Sequence, residues 1–390
     1  VSSLPPALIV GAGGGELPAV RSLGPRGAPV WLAGPQRVAA AASRYARGFF
    51  TTPDPLEAPR DFVERLVELA RGFEEAPVLV PVDDAAVEAL ATGAERLGAA
   101  FRLTGPPPRA ALEILDKARQ YERVRTAGIP LPATWVPEGP HAAARIGAAA
   151  TFPLLVKPRS AQRFRARRGF KVVRVGTPLE LEAALAAFSE PMVVQEAVPG
   201  GVERIYEYGA FVDREGRVRV EAVMRKLEED PDPFGSAIAA EAVGEPALEA
   251  LGRRVLEAFA YQGTAHAEFK RDPRDGRFLF IELNARMPIS ASLQRAAGAD
   301  TIWPIYAQAA GLPLELAAQA SRRVVWLRPE LRLSRGHRVR LPRRLPDSPR
   351  GPTRYVADLF DPRDPAPLLV EAAAALRRRL RPRRRAPLSP

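Results

Sequence analysis

The chain has 390 residues, 46% hydrophobic and 26% charged, the balance of an ordinary soluble globular protein with room for two or three domains. It has no cysteine and three histidines, which excludes disulfides, zinc ribbons and a cysteine nucleophile and argues against a histidine-rich metal site. The net charge of +12 is uneven: residues 321–390 hold 19 Arg against 6 acidic residues, so the remainder is close to neutral and nucleic-acid binding is not expected from the charge.

Residues 7–105 alternate strand and helix, the pattern of an open, mostly parallel sheet. ALIV (7–10) reads as a short buried strand, followed by the glycine turn GAGGG and a helix through Ala19–Leu23. APVWLA (28–33) is a second strand, residues 59–72 carry helical spacing at Phe62, Leu66 and Leu69, and PVLVPV (77–82) is a further strand. Asp83 and Asp84 can cap a helix over Ala85–Leu97. The glycine run invites a dinucleotide reading, but Glu16 stands where GxGxxG needs a small residue, and WLAGPQ ends the second strand without an acid for a ribose hydroxyl. A tight strand-to-helix turn in a Rossmann-like domain is the reading it supports.

A helix is expected within residues 104–135, and FPLLVKP (152–158) reads as a strand carrying Lys157. RSAQRFRARRGFKVVRV (159–175) reads as a basic hairpin-like stretch, PLELEAALAAF (178–188) as a helix, and PMVVQEAVPGG (191–201) as a strand ending in a Pro-Gly turn. Residues 205–226 form two alternating strands around DREG, Ala247–Ala260 a helix, and 264–284 a hairpin. Helix continues to about 320, and the rest is rich in Arg and Pro. No uncharged apolar run reaches the ~18 residues of a membrane span. VSSLPPALIVGAGGG has no basic region ahead of its apolar stretch, so no secretory signal is expected and the cytoplasm is the expected location.

Two residue types are rationed. Against 52 Arg the chain has five Lys, at 117, 157, 171, 226 and 270, and its one Asn is Asn284. Lysine is a compact point charge suited to phosphate oxygens, so its use where Arg is the habit suggests geometry. Lys157 follows LLV and precedes Pro158, the setting of a lysine held in a cleft. The most informative segment is TAHAEFKRDPRDGRFLFIELNAR (264–286). Strand alternation puts Phe280, Glu282 and Asn284 on one face, and His266, Glu268 and Lys270 on one face of the partner. A three-residue loop at Arg274–Gly276 would pair Phe278 with Asp272 and set Glu268 opposite Glu282. Two carboxylates ~5 Å apart repel unless a cation lies between them. With the Asn284 oxygen they form a hard, all-oxygen set suited to Mg²⁺ and phosphate. Arg286 would project toward the same place as an anion clamp.

These segments, taken in order with LIVGAGGGELPAVRSLGPRGAPV, SRYA (43–46), PVLVPVDDAAVEAL, LDKARQYERVRTAGIPLPATW and AVMRKLEEDPDPFGSA, resemble the ATP-grasp superfamily over residues 7 to about 315. The branch they resemble is that of the predicted carboxylate–amine ligases, which includes D-aspartate-ligase-like proteins. The resemblance implies an α/β and α+β chain: a Rossmann-like domain (1–104), a two-subdomain ATP-grasp domain (105–320, lid about 136–195) and a basic C-terminal extension (321–390). It implies ATP held with Lys117 and Lys157 on the phosphates, Gln195, Glu196 and Val198 at the adenine, and Glu203 on the ribose. It further implies Mg²⁺, or Mn²⁺ in its place, on Glu268, Glu282 and Asn284, and Arg286 at an acyl-phosphate step, with Lys157 also catalytic. Arg225 and Lys171 are weaker candidates for phosphate or substrate. The lid departs from the family: residues 159–171 hold one glycine and six basic residues.

The implied partners are a small-molecule carboxylate and amine, with no membrane span, and a homodimer is compatible with the sequence. Two other readings stay open. One is a nucleotide-binding oxidoreductase built on the glycine turn, and the other an anionic-polymer-binding protein using LRRRLRPRRR (376–385).

Overall fold

A computed structural model describes residues 4–314, 323–328 and 353–380. Strands β1 (Ala7–Val10), β2 (Val30–Gly34), β3 (Ala46–Thr51), β4 (Val78–Pro81) and β5 (Arg102–Leu103) form a parallel sheet in the order β3-β2-β1-β4-β5. ALIV and VLVP are buried at every position because helices cover both faces of the sheet. The order reverses between β1 and β4, so their C-terminal ends open a crevice of the kind that holds ligands in such sheets. The GAGGG turn lies there, bonded to the cap of the helix that follows β4: Ala12 N donates to Asp83 Oδ2 (2.7 Å), while Asp83 Oδ1 caps the helix Asp84–Thr92 by accepting from Ala86 N. Gly11 has φ +112°, and a Cβ there would lie 2.5 Å from Asp83 Oδ2. Gly11→Ala is therefore expected to lower stability by about 1–3 kcal/mol, read as a drop in melting temperature.

A second, four-stranded antiparallel sheet follows. It consists of β6 (Thr134–Trp135), β7 (Leu154–Pro158), β8 (Val173–Val175) and β9 (Met192–Glu196), in the order β6-β9-β7-β8. The Arg-rich segment expected as a hairpin is instead the helix Ala161–Arg168, ended by Gly169 in the left-handed region. AQRFRARR contains neither Gly nor Pro, and the buried Phe164 packs edge-on against Phe170 and Phe188 to dock it.

The largest sheet contains β10 (Ile205–Val212), β11 (Val218–Asp230), β12 (Ser236–Val243), β13 (Gly263–Arg271), β14 (Phe278–Asn284), β15 (Val324–Leu327) and β16 (Arg354–Ala357). Its order is β14-β13-β10-β11-β12-β15-β16, antiparallel except for the parallel pair β15–β16. Part of the expected C-terminal extension thus belongs to the central sheet, while residues 329–352, residues 381–390 and the end of the Arg run 376–385 lie outside the described residues. So do residues 315–320, over which helix was expected. One face of this sheet buries Tyr208, Ala267, Phe269, Phe280 and Leu283 against the helices 108–115, 117–126 and 246–258. Because side chains alternate, Glu207, His266, Glu268 and Asn284 point the other way.

The hairpin corrects the expected turn. Arg271, not Asp272, is level with Phe278, and a bulge between Glu268 and Phe269 takes up one residue of β14. Glu268 still falls opposite Glu282, and His266 opposite Asn284. The bulge also moves Phe280 to the core face, paired with Phe269, and leaves Ile281 in the cleft.

Candidate active site

A cleft of about 1380 Å³ is lined by the four-stranded and seven-stranded sheets and by the loops at the C-terminal ends of β1 and β4. All five lysines of the chain and its single asparagine line it. Two of the lysines are brought together by Asp116. The expected helix within 104–135 breaks there into Pro108–Leu115 and Lys117–Thr126, because Asp116 caps the second by accepting from Ala118 N and Arg119 N. The same carboxylate takes a two-point contact from Arg159 (Nε 3.0 Å, Nη2 2.5 Å), the residue that follows β7. Lys117 in the helix's first turn and Lys157 near the end of β7 are thereby fixed over the same space.

Two of the cleft lysines are paired with carboxylates. Lys117 Nζ donates to Glu282, and Lys226 Nζ lies 3.0 Å from Glu268 and 3.6 Å from Glu207. Burial by itself would depress Lys117, but the Glu282 carboxylate outweighs it and raises the pKa. Lys226 is raised in the same way against burial, by Glu268 and Glu207. The acids respond inversely: burial disfavours their charge, yet Lys226 holds Glu268 low and Lys117 holds Glu282 low. Among the described residues Lys157 forms no ion pair with a carboxylate. It is 7% exposed, donates to Gln195 Oε1 at 2.7 Å, and is pushed down to about 7 by burial and then by the neighbouring Lys117 charge. Burial likewise lowers Lys171. Near neutral pH Lys157 is thus poised between its neutral and charged forms, and an anion such as phosphate beside it would favour the charged one.

Asn284 is 8% exposed, its Nδ2 lies 3.5 Å from His266 Nδ1, and its Oδ1 accepts from Arg286 Nη2 at 3.4 Å. Arg286 is itself anchored by Asp84 Oδ1 at 2.6 Å, which ties β14 to the first sheet. His266 Nε2 lies 3.2 Å from Glu207 Oε2, and Ser290 Oγ donates to the same carboxylate (3.1 Å). Glu207, His266 and Glu268 each present a ligand atom within 4.8 Å of the others, and Glu282 and Asn284 stand opposite Glu268 and His266 across the β13–β14 ladder. Carboxylate and amide oxygens beside lysine ammonium groups are a donor set that fits a hard divalent cation bound together with phosphate.

The expected residues divide. Lys117, Lys157, Lys171, Gln195, Glu196, Val198, Glu268, Glu282, Asn284 and Arg286 all line the cleft. Gln195 bridges Lys157 and Thr134 Oγ1, so it holds the lysine as well as bordering the apolar strip of Leu155, Val198 and Ile281. Glu203 is exposed at the mouth, with Oε1 accepting from Gly201 N, and is not among the lining residues. Arg225 does not reach the cleft. It pairs with Glu241 on β12, because alternation along β11 turns Lys226 inward and Arg225 outward. Arg225→Ala is accordingly expected to leave nucleotide affinity unchanged in a calorimetric titration. Sequence reasoning missed Glu207 and Lys226 as site residues. Lys226 carried a signal, being one of the five rationed lysines, whereas Glu207 in RIYEYGAF carried none.

No family model matches the chain. Over 103 residues it is 30% identical to D-aspartate ligase of Enterococcus faecium (strain Aus0004), a stretch that is 26% of this chain and 24% of that protein. The match thus spans about a quarter of the curated relative's length. Among solved structures, the biotin carboxylase domain of Hydrogenobacter thermophilus 2-oxoglutarate carboxylase superposes with a TM-score of 0.66 at 16% identity, covering 83% of this chain and 74% of that one. N5-carboxyaminoimidazole ribonucleotide synthetase from Thermus thermophilus gives 0.63 at 21% identity, covering 81% of each chain. The chain therefore shares its fold with the biotin carboxylase domain and with N5-carboxyaminoimidazole ribonucleotide synthetase.

Proposed function

We propose that the protein is an ATP- and Mg²⁺-dependent carboxylate–amine ligase that releases ADP and phosphate. The observation that carries this reading is the gathering of every lysine and the only asparagine of an arginine-using chain into one cleft with Glu207, Glu268 and Glu282. On this reading residues 1–104 form the Rossmann-like domain, 105–320 the ATP-grasp domain and 321–390 an extension of it. Lys117 and Lys157 meet the phosphates, with Lys171 beside them, and Gln195, Glu196 and Val198 border the adenine. Glu203, at the mouth, is the ribose candidate. Glu268, Glu282 and Asn284 hold the metal. Bound there, Mg²⁺ supplies charge neutralisation on the phosphate oxygens, and Mn²⁺ suits the same oxygen set.

The cleft residues then act in sequence. Lys117 leaves Glu282 still charged, and Lys157 takes up a proton from solvent as the phosphates arrive. A substrate carboxylate oxygen attacks the γ-phosphorus in line while the bond to the bridging oxygen breaks, giving an acyl phosphate and ADP. Arg286, held in place by Asp84, lies two residues from Asn284 and offers its guanidinium to the charge that develops on the transferred group. An amine nitrogen then attacks the acyl carbon, phosphate departs, and the nitrogen loses a proton to give the amide. The test is carboxylate-dependent ADP release, alongside the melting temperature with ATP and Mg²⁺. Stabilisation by ATP and not by NADH, with ADP as product, is expected; AMP as product, or stabilisation by NADH alone, would refute the reading.

A further inference from the structure

The cleft is larger than the roughly 300–1,000 Å³ of ordinary ligand pockets, and its chemistry changes along its length. Beyond the lysines, its wall is apolar: Leu17, Val38, Leu56, Leu359 and Val370 line it, from five separate stretches of chain. Val38 and Leu359 pack against the same buried cluster that contains Leu17, so the wall is continuous with the core beneath it. Val370 comes from the helix Ala366–Leu380, which packs on the turn Ala39–Ala42, and it is 45% exposed toward this space. The charged groups beside the wall are mostly acids. Glu16 is buried and Asp83 half-buried at the glycine turn, and Asp358 is buried, its Oδ2 making no hydrogen bond but lying 3.8 Å from Arg328 Nε. Arg37 is exposed beside Val38, and the cations at the boundary with the phosphate region are Arg286 and Arg328, the latter close enough to Gly14 that a Cβ there would meet its Nη1 at 2.9 Å.

Resting on the ligase reading, we propose that this compartment selects a carboxylic acid with an apolar body and no second acidic group, of the size of a hydrophobic amino acid. Its reacting carboxylate sits at the Arg286 and Arg328 end, where the phosphoryl group is delivered. Its body lies on Leu17, Val38, Leu359 and Val370. A second carboxylate on the substrate would lose its water against this wall and face Glu16, Asp83 and Asp358, so aspartate and glutamate are rejected. The specificity therefore differs from the one in the name of the Enterococcus relative, and the C-terminal helix is the element that sets it.

The experiment replaces the unidentified amine with hydroxylamine, whose nitrogen attacks the acyl carbon, expels phosphate and loses a proton to give a hydroxamate, read as its coloured complex with added ferric ion. Leucine, phenylalanine and 3-phenylpropionate are compared with aspartate and glutamate, using ATP and Mg²⁺. Apolar acids are expected to react at least about tenfold faster than the acidic ones, the scale of discrimination a shaped apolar pocket supplies. Val370→Glu should lower kcat/KM for the apolar acids by at least about tenfold and leave ATP stabilisation unchanged; Val370→Trp should shift preference to smaller apolar acids. Because Val370 is half exposed, both variants are expected to fold. Equal or better reaction of aspartate, no reaction of any apolar acid, or unaltered selectivity in both variants would overturn the assignment while ATP stabilisation persists. Loss of ATP stabilisation in the unsubstituted protein would instead overturn the ligase reading beneath it.

Discussion

Asn284→Leu is expected to abolish ADP formation while the protein stays folded. Leucine has the branching and heavy-atom count of asparagine but no ligand atom, and it replaces a side chain that is 8% exposed on the cleft face of β14. The loss of one oxygen from the metal set, together with the contact that orients Arg286, should reduce turnover by at least about a hundredfold. The fold cost is smaller. His266 Nδ1 and Arg286 Nη2 each lose one long contact, of 3.5 Å and 3.4 Å, and Arg286 keeps Asp84. Unsatisfied buried groups of this kind cost about 1–3 kcal/mol. Asn284→Asp keeps an oxygen in place and should retain Mn²⁺ binding, followed by electron paramagnetic resonance, with altered turnover from the added charge. A purely structural asparagine would give the reverse ranking: a large fall in melting temperature with activity per folded molecule preserved. A fully active, correctly folded Asn284→Leu would reject the metal role.

Much of this site was legible because the chain rations residues. In a sequence with 52 arginines, five lysines and one asparagine mark the cleft by composition alone, and the structure brings all six together. The facing of Glu268 and Glu282 was legible for a less secure reason. The turn was misjudged, and the bulge after Glu268 restored the register that the misjudged turn had implied. Bulges respond to packing on both faces, here the Phe269–Phe280 contact against Tyr121, which a single strand's alternation does not reveal. Glu207 was not legible, since its role depends on β10 lying between β11 and β13 so that Lys226 and His266 reach it from either side. The C-terminal strands β15 and β16 were missed for a related reason: VVWL and RYVA are short, flanked by Arg and Pro, and stabilised by pairing to β12 and to each other. Arg225 and Lys226 are adjacent, and only the strand's orientation decides which of them enters the cleft.

Lys157→Met is expected to weaken ATP binding by about 1.5–3 kcal/mol, the range for a hydrogen bond to a charged group, and also to remove a pH dependence that the parent protein shows. In the ligand-free chain Lys157 is pushed down to about 7 by burial and then by the Lys117 charge, against an ordinary lysine value of about 10.4. Phosphate oxygens beside the amine favour its charged form and move its pKa back up. Below pH 7 the amine is protonated both before and after ATP binds, so no proton is exchanged. Between about pH 7 and the higher value of the complex, the amine is neutral before binding and charged after it. One proton is then taken up per ATP, and affinity falls by up to about tenfold for each pH unit gained, since one unit corresponds to about 1.36 kcal/mol. Calorimetry at about pH 8 in two buffers of different ionisation enthalpy measures that uptake directly. It should approach one proton in the parent protein and be lost in Lys157→Met. Lys270→Met is the control: its Nζ donates to the Gly200 carbonyl at 2.7 Å, at the strand-turn end of the cleft, so uptake and phosphate affinity should persist. Equal ATP affinities and equal proton uptake in the two variants would remove Lys157 from the phosphate site.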